Sequence, residues 1–378
     1  MANIIFSHAL VFKINCNGEI LTPGGIDNNY LRRYKDAGFD KIYLVSRSVQ
    51  VDVESISGHE ILQDINPFFL NKYTGGYKFL RSLSFYKDLY KLLKDDNLLI
   101  INYPSSTGLF LILFSWLFSL NYVVEVASDS DTYREKRFGL LVQILSDLIG
   151  RICVPKALGA LYVAQFLRDK WHNANGIVLS NVHLDSISTP RLFKSLDKKI
   201  TITTVGAISY RKGIDVIVRE CSILNGLQKV ELNIVGPVID NRLKELIDSI
   251  SVKNLEITCY GILSKGDIIS ILDRSDLYVQ ASRSEGLPRS VLEAMSRGVP
   301  VVSSKLPGLR GIIPDDYQFD INKTGELRDM IQSIAADPDL SNAMSELSIE
   351  VSKKFHIDIT REIRESFYQT CKLYMSQR

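Results

Sequence analysis

Little in this chain of 378 residues is extreme, and each missing extreme removes a class of protein. Five cysteines (Cys16, Cys153, Cys221, Cys259 and Cys371) are scattered without paired spacing, which argues against zinc and a disulfide framework and suits a reducing compartment. A formal charge of +2 carries no nucleic-acid signature, so no such partner is expected and any basic surface must be local. The longest apolar run, 108–120, is shorter than the roughly twenty residues needed to span a bilayer, and reads as a buried helix between two strands. His172 and His356 stand in no cluster, and there is no repeat or low-complexity tract. The start, Met1-Ala-Asn-Ile-Ile-Phe6, lacks a basic stretch ahead of a long apolar core and reads as a first strand rather than a signal peptide. Hydrophobic content of 46% and charge of 23% are ordinary for a globular chain, and the length points to two domains.

What is present is an alternation of strands and helices. Residues 3–14 are strand-like, Pro23-Gly24-Gly25 follows, and an amphipathic stretch through Tyr34 leads to a second strand at 41–45. Strand, glycine pair, helix, strand opens an α/β nucleotide-binding fold. Leu98-Leu-Ile-Ile-Asn102-Tyr-Pro104 is another strand. Its carboxyl end runs into Ser105, Ser106 and Thr107, which are candidate acceptor or sugar contacts because such folds bind ligands there. The strand 122–126 runs into Ala127-Ser128-Asp129-Ser130-Asp131. An Asp-x-Asp can chelate a divalent ion, but the tripeptide is too short to be specific and reads as a polar loop facing a cleft. Residues 159–171 read as a helix, and 185–199, rich in Ser, Pro and charge, as the linker.

Segment 68–94 differs from its neighbours. It carries Lys72, Lys78, Arg81, Lys87, Lys91 and Lys94 against Asp88, while Leu83, Tyr86, Leu89, Tyr90 and Leu93 recur at helical spacing. Such a helix either lies on an anionic membrane surface or is a surface helix with a solvated basic face.

In the second half, a strand from Ile200 ends at Val205-Gly206, and Arg211-Lys212-Gly213 leads into a helix. A lysine aimed over a strand end can neutralise a diphosphate leaving group. The densest signal is 276–304: strand, the turn Glu285-Gly286-Leu287-Pro288, a helix carrying Glu293, Arg297-Gly298, and a further strand. The start of that helix is where a phosphate would sit, with Glu285 and Glu293, seven residues lying between them, reaching hydroxyls on either side. The blander reading is an ordinary strand-helix-strand connection with one solvated and one capping glutamate.

Glu285-Gly286-Leu287-Pro288, Leu292-Glu293-Ala294-Met295 and Gly298-Val-Pro300-Val-Val resemble the paired-glutamate signature of retaining glycosyltransferases of the GT-B fold, family 4 (glycosyl transferases group 1). The likeness spans most of the chain and is specific chiefly over 203–304. It implies an α/β protein with two Rossmann-like domains facing each other across a cleft. The first would cover 1–185 and bind the acceptor; the second, 195–357, would bind the nucleotide sugar. A C-terminal helix in 358–378 would cross back to the first domain.

The resemblance also implies roles. Lys212 and the N–H groups following Gly286 would stabilise the departing diphosphate, Glu285 would bind and orient the sugar, and Glu293 would bind the ribose. Gly24, Gly25, Gly206, Arg211, Gly261, Ile262, Leu287 and Pro288 complete the donor set, with Gly261 and Ile262 seating the base. Two departures stand out: Ala207 replaces the usual Arg, with Arg211 or Lys212 left to compensate. Ala127 replaces a usual His, for which Asp129 or Asp131 would serve. The implied reaction is transfer of a hexose-type sugar from a nucleotide diphosphate donor to an acceptor hydroxyl with retention, without metal or cofactor. The implied acceptor is a lipid-linked or surface-polysaccharide intermediate, met at the cytoplasmic face of a bacterial inner membrane through segment 68–94. The alternatives are an inactive GT-B subunit partnering an active transferase, and a nucleotide-sugar epimerase.

Overall fold

The structure, a computed structural model, describes residues 3–22, 26–56, 59–69, 83–94, 97–133, 139–194 and 198–376. The chain divides into two compact units, Met1–Ser180 with Arg361–Arg378, and Asn181–Thr360.

In chain order the first unit holds β1 (Asn3–Ile14), β2 (Ile20–Thr22), α1 (Asn28–Asp36), β3 (Ile42–Gln50), β4 (Glu60–Ile61), β5 (Ile65–Phe69) and α2 (Leu83–Lys94). Then come β6 (Asn97–Tyr103), α3 (Ser106–Leu117), β7 (Tyr122–Val126), α4 (Gly139–Cys153), β8 (Gly159–Tyr162), α5 (Gln165–Lys170) and β9 (Gly176–Val178). The parallel strands lie in the order β5-β3-β1-β6-β7-β8-β9; β2 pairs antiparallel with the far half of β1, and β4 pairs antiparallel with β2. Every residue of β6 and β7 is buried, as expected of parallel strands covered on both faces.

The second unit holds β10 (Ile200–Val205), α6 (Ile214–Ser222), β11 (Val230–Val235), α7 (Asn241–Ser249), β12 (Leu255–Gly261) and α8 (Lys265–Leu272). It continues with β13 (Leu277–Gln280), α9 (Arg289–Ser296), β14 (Val301–Ser304), β15 (Gln318–Phe319), α10 (Glu326–Ala336) and α11 (Pro338–Lys353). All six strands are parallel, in the order β12-β11-β10-β13-β14-β15. This is the doubly wound order, whose direction reverses between β10 and β13 and opens a ligand crevice at their carboxyl ends.

The last helix, α12 (Ile357–Ser376), carries the chain back, since Arg361–Arg378 belong to the first unit. Its anchor is Glu125 of β7, which is only 1% exposed. Both Glu125 oxygens accept from Arg33, at 3.1 and 2.9 Å, and Tyr34 donates to Oε1 at 3.0 Å. Tyr368 of α12 donates to the same oxygen. Burial alone would raise this carboxyl; Arg33, the Tyr368 hydrogen bond and Arg364 outweigh it and hold it below the usual carboxylate value. Arg364, also 1% exposed, donates to the Ser180 carbonyl at 2.6 Å.

Three local expectations change. Residues 159–171 are not one helix: β8 comes first, because Gly159-Ala-Leu-Tyr162 is short, apolar and buried at every position. The expected linker 185–199 is held on the second unit through Arg191, which donates to the carbonyls of Arg297 (2.8 Å), Ser275 (2.6 Å) and Leu272 (2.9 Å). The run 108–120 is helical through α3 but is not buried all round, as Leu113, Trp116, Leu117 and Phe118 are exposed.

Candidate functional site

β10 and β13 pair in parallel at the reversal of strand order, so the loops that follow them lie side by side. After β10, Gly206 leaves room for Lys212, whose Cδ and Cε would lie 3.2 and 3.3 Å from any Cβ placed there. Gly213 ends the short turn Tyr210–Lys212 in the left-handed region, φ 66°, and a Cβ on it would stand 1.8 Å from the Ala281 carbonyl oxygen. Only glycine lets the two loops approach this closely.

The close approach sets the chemistry. Lys212 donates its Nζ hydrogen to Glu285 Oε1, both side chains being mostly buried. Arg211 NH1 lies 3.5 Å from the same oxygen and donates to the Ser284 carbonyl at 3.0 Å, so two cations from one loop face one carboxylate of the other. Ser282 Oγ donates to Glu285 Oε1 at 3.2 Å, and Gln280 Nε2 donates to Ser282 Oγ at 2.7 Å. The Tyr278 hydroxyl donates to Gln280 Oε1 at 2.9 Å and lies 2.7 Å from Ser290 Oγ. Burial raises the Tyr278 phenol, keeping it protonated as a donor.

A buried polar chain thus runs under Glu285 and fixes it. The sequence reading missed Tyr278, Gln280, Ser282 and Ser290. The available signal was polar side chains at every second residue of an otherwise apolar strand.

Glu285-Gly286-Leu287-Pro288 then enters α9, whose N-cap is Pro288 with no side-chain hydrogen bond. Val291, Leu292, Ala294 and Met295 are buried, which leaves Glu293 partly exposed, 3.9 Å from Arg289. Gly308 backs this loop, since a Cβ there would fall 1.4 Å from the Gly286 carbonyl oxygen. At the end of β12, the Gly261 carbonyl accepts from Gly236 N at 2.8 Å, and Ile262 just beyond is 44% exposed.

Residues of the first unit fare differently. Gly24 and Gly25 lie outside the described residues, as does 70–82 of the basic segment. Ser105 is the N-cap of α3: its hydroxyl accepts from Gly108 N and donates to the Asn102 carbonyl, both at 2.8 Å. The candidate ligand contact Ser105 is therefore a capping residue, a use favoured for serine at a strand-to-helix joint. Ser106 begins the helix and Thr107 is buried within it. Asp129 is ion-paired with Lys170, which also reaches Asp147 at 2.9 Å, so this carboxylate is neutralised in place. Asp131 lies in the short turn Ser130–Tyr133. Among the described residues no group of three or more His, Cys, Asp or Glu is placed to hold a metal ion.

Two Rossmann-like parallel-sheet units define the GT-B architecture, and solved structures share it. HepE of Anabaena, solved in complex with UDP and glucose, superposes with a TM-score of 0.70 at 14% identity, over 97% of this chain and 99% of that one. Residues 189–351 match the model of the family described as glycosyl transferases group 1. Among curated proteins, protein CapJ of Staphylococcus aureus is 28% identical over 298 residues, 74% of each chain. The O-antigen biosynthesis glycosyltransferase WclY of Escherichia coli is 27% identical over 140 residues, 37% of this chain and 38% of its own.

Proposed function

We propose that this chain is a retaining glycosyltransferase that moves a hexose-type sugar from a nucleotide diphosphate donor to an acceptor hydroxyl. The observation that carries the reading is the meeting of Lys212, Arg211 and Glu285 at the reversal between β10 and β13. A diphosphate placed there meets two cations and the N-terminal dipole of α9, which together stabilise the leaving group without a metal. Glu285 accepts from sugar hydroxyls and turns the donor, while Glu293 takes the ribose. Gly261 and Ile262 seat the base. Ala207 costs the site one guanidinium, and Arg211 supplies another beside the same carboxylate.

In the proposed step the bond between the anomeric carbon and the diphosphate breaks. The acceptor oxygen attacks on the same face, and its proton passes to the leaving phosphate. Neither glutamate is a nucleophile. The complex of HepE with UDP and glucose supports a nucleotide-sugar donor. The O-antigen role of WclY supports a lipid-linked or surface-polysaccharide acceptor. We place the chain at the cytoplasmic face of a bacterial inner membrane, reached through segment 68–94. The first unit would receive the acceptor there.

A thermal-shift panel of nucleotide sugars, followed by turnover against lipid-linked acceptors, tests this. The expected result is one donor that raises the melting temperature and is consumed only when acceptor is present. No shift with any nucleotide sugar contradicts the proposal; conversion of the donor without acceptor turns it to an epimerase.

A further inference from the structure

We propose that the outer face of α3 and α4 is the surface by which the chain seats in the headgroup layer of an anionic lipid bilayer. The inference builds on the membrane association proposed above, yet stands apart from the donor chemistry, so binding and turnover fail separately.

The observation is an inverted helix. In α4 the residues turned inward include the small Gly139, Ser146, Gly150 and Cys153, while Leu141, Ile144, Leu145, Leu148 and Ile152 face outward. Those five are each between 43% and 58% exposed. They recur at helical spacing, so they form one stripe, on the side where a surface helix normally carries polar residues. α3 packs beside α4 and continues the face with exposed Trp116, Leu117 and Phe118. It contains no charged residue. An apolar face of this kind on a folded chain marks an interaction site.

Charge selects the occupant. Lys156 Nζ lies 5.0 Å from the centre of the Trp116 ring, and Arg151, exposed in the last turn of α4, stands one residue before Ile152. Tyr90 of α2 meets Phe118 with ring centres 5.9 Å apart, and Lys87 and Lys94 share the Tyr90 face by helical spacing. On the acid side, Asp147 of α4 is paired with Lys170, and Asp88 lies on α2. Leucine-rich surface with a tryptophan at its margin and lysines around it is the composition that binds anionic interfaces. Two copies joined through this face would bring like cations together, which disfavours a dimer. No helix among the described residues is long and apolar enough to cross a membrane, so the contact is with the surface.

The chain carries its own reporter. Of its two tryptophans, Trp171 is fully buried and Trp116 lies on the proposed face. The full chain is mixed with phosphatidylcholine vesicles, with or without phosphatidylglycerol, and with vesicles whose acyl chains are brominated. We expect sedimentation with the phosphatidylglycerol vesicles and a blue shift with bromine quenching, both optical signals being lost in Trp116→Phe. A Leu145→Glu, Leu148→Glu double variant changes only exposed positions, so its melting temperature is expected to hold while vesicle affinity falls by about ten-fold or more. Unchanged Trp116 emission with vesicles overturns the proposal. So does vesicle binding that the double variant leaves intact, or a wild-type dimer that this variant dissociates.

Discussion

Arg283 holds Asp215 with its two terminal guanidinium nitrogens, at 2.9 and 2.8 Å, and stacks its guanidinium 3.4 Å from the centre of the Tyr210 ring. Arg283 follows β13 and Asp215 lies in the first turn of α6, so this fork locks the two loops that bring Lys212 to Glu285. Neither residue is assigned to the donor. Asp215→Asn keeps the shape and removes the charge-assisted pair. We expect a loss of about 1 kcal/mol in stability and a donor KM raised by about five-fold, read by denaturant titration and initial rates. An unchanged KM would show that the loops hold their register without the fork.

The Glu125 cluster makes a prediction about stability alone. Glu125→Gln leaves Arg33 buried without its counter-charge, and should cost about 3–5 kcal/mol in equilibrium unfolding. Tyr368→Phe removes one hydrogen bond from α12 and should cost about 1 kcal/mol. Equal small losses for both would mean that the carboxylate is not the anchor.

The contrast between these two clusters explains what could be read from the chain. The fold class was legible because 3–14, 98–104 and 200–205 are apolar strand runs separated by glycine turns and helical patterns, and parallel strands leave that trace. Lys212 and Glu285 stood out because each lies beside a glycine at a strand end. Their direct pairing did not, since it depends on Gly213 letting two loops 73 residues apart touch. Glu125 was invisible: within Tyr122-Val-Val-Glu-Val126 it is one polar residue in an apolar strand, and its partners come from positions 30–34 and from α12. The outward stripe of α4 was equally hidden, because helical periodicity shows that a face exists and not which way it turns.

His8 in β1 gives a pH prediction. Its Nδ1 accepts from Leu10 N at 3.1 Å, a bond that protonation destroys. Burial, against the pull of Glu125 and with Arg33 adding to it, lowers its pKa to about 4. Below its ordinary value of 6.5 the unfolded chain takes up a proton that the folded chain refuses, so stability falls as pH drops from 6.5 to 4. The slope from this group approaches about 1.4 kcal/mol per pH unit. Denaturation midpoints measured across that window should fall in the wild type and fall less steeply in His8→Phe. Parallel curves would remove His8 from the account.

The central claim is that the cations beside Glu285 hold the donor diphosphate. The most direct measurement is a titration of the best-binding nucleotide diphosphate sugar into wild type and Lys212→Ala, with melting temperatures confirming that both are folded. The account predicts that affinity falls by about a hundred-fold, the loss of one charge-assisted phosphate contact in a partly buried site. Equal affinity in the two proteins would contradict it.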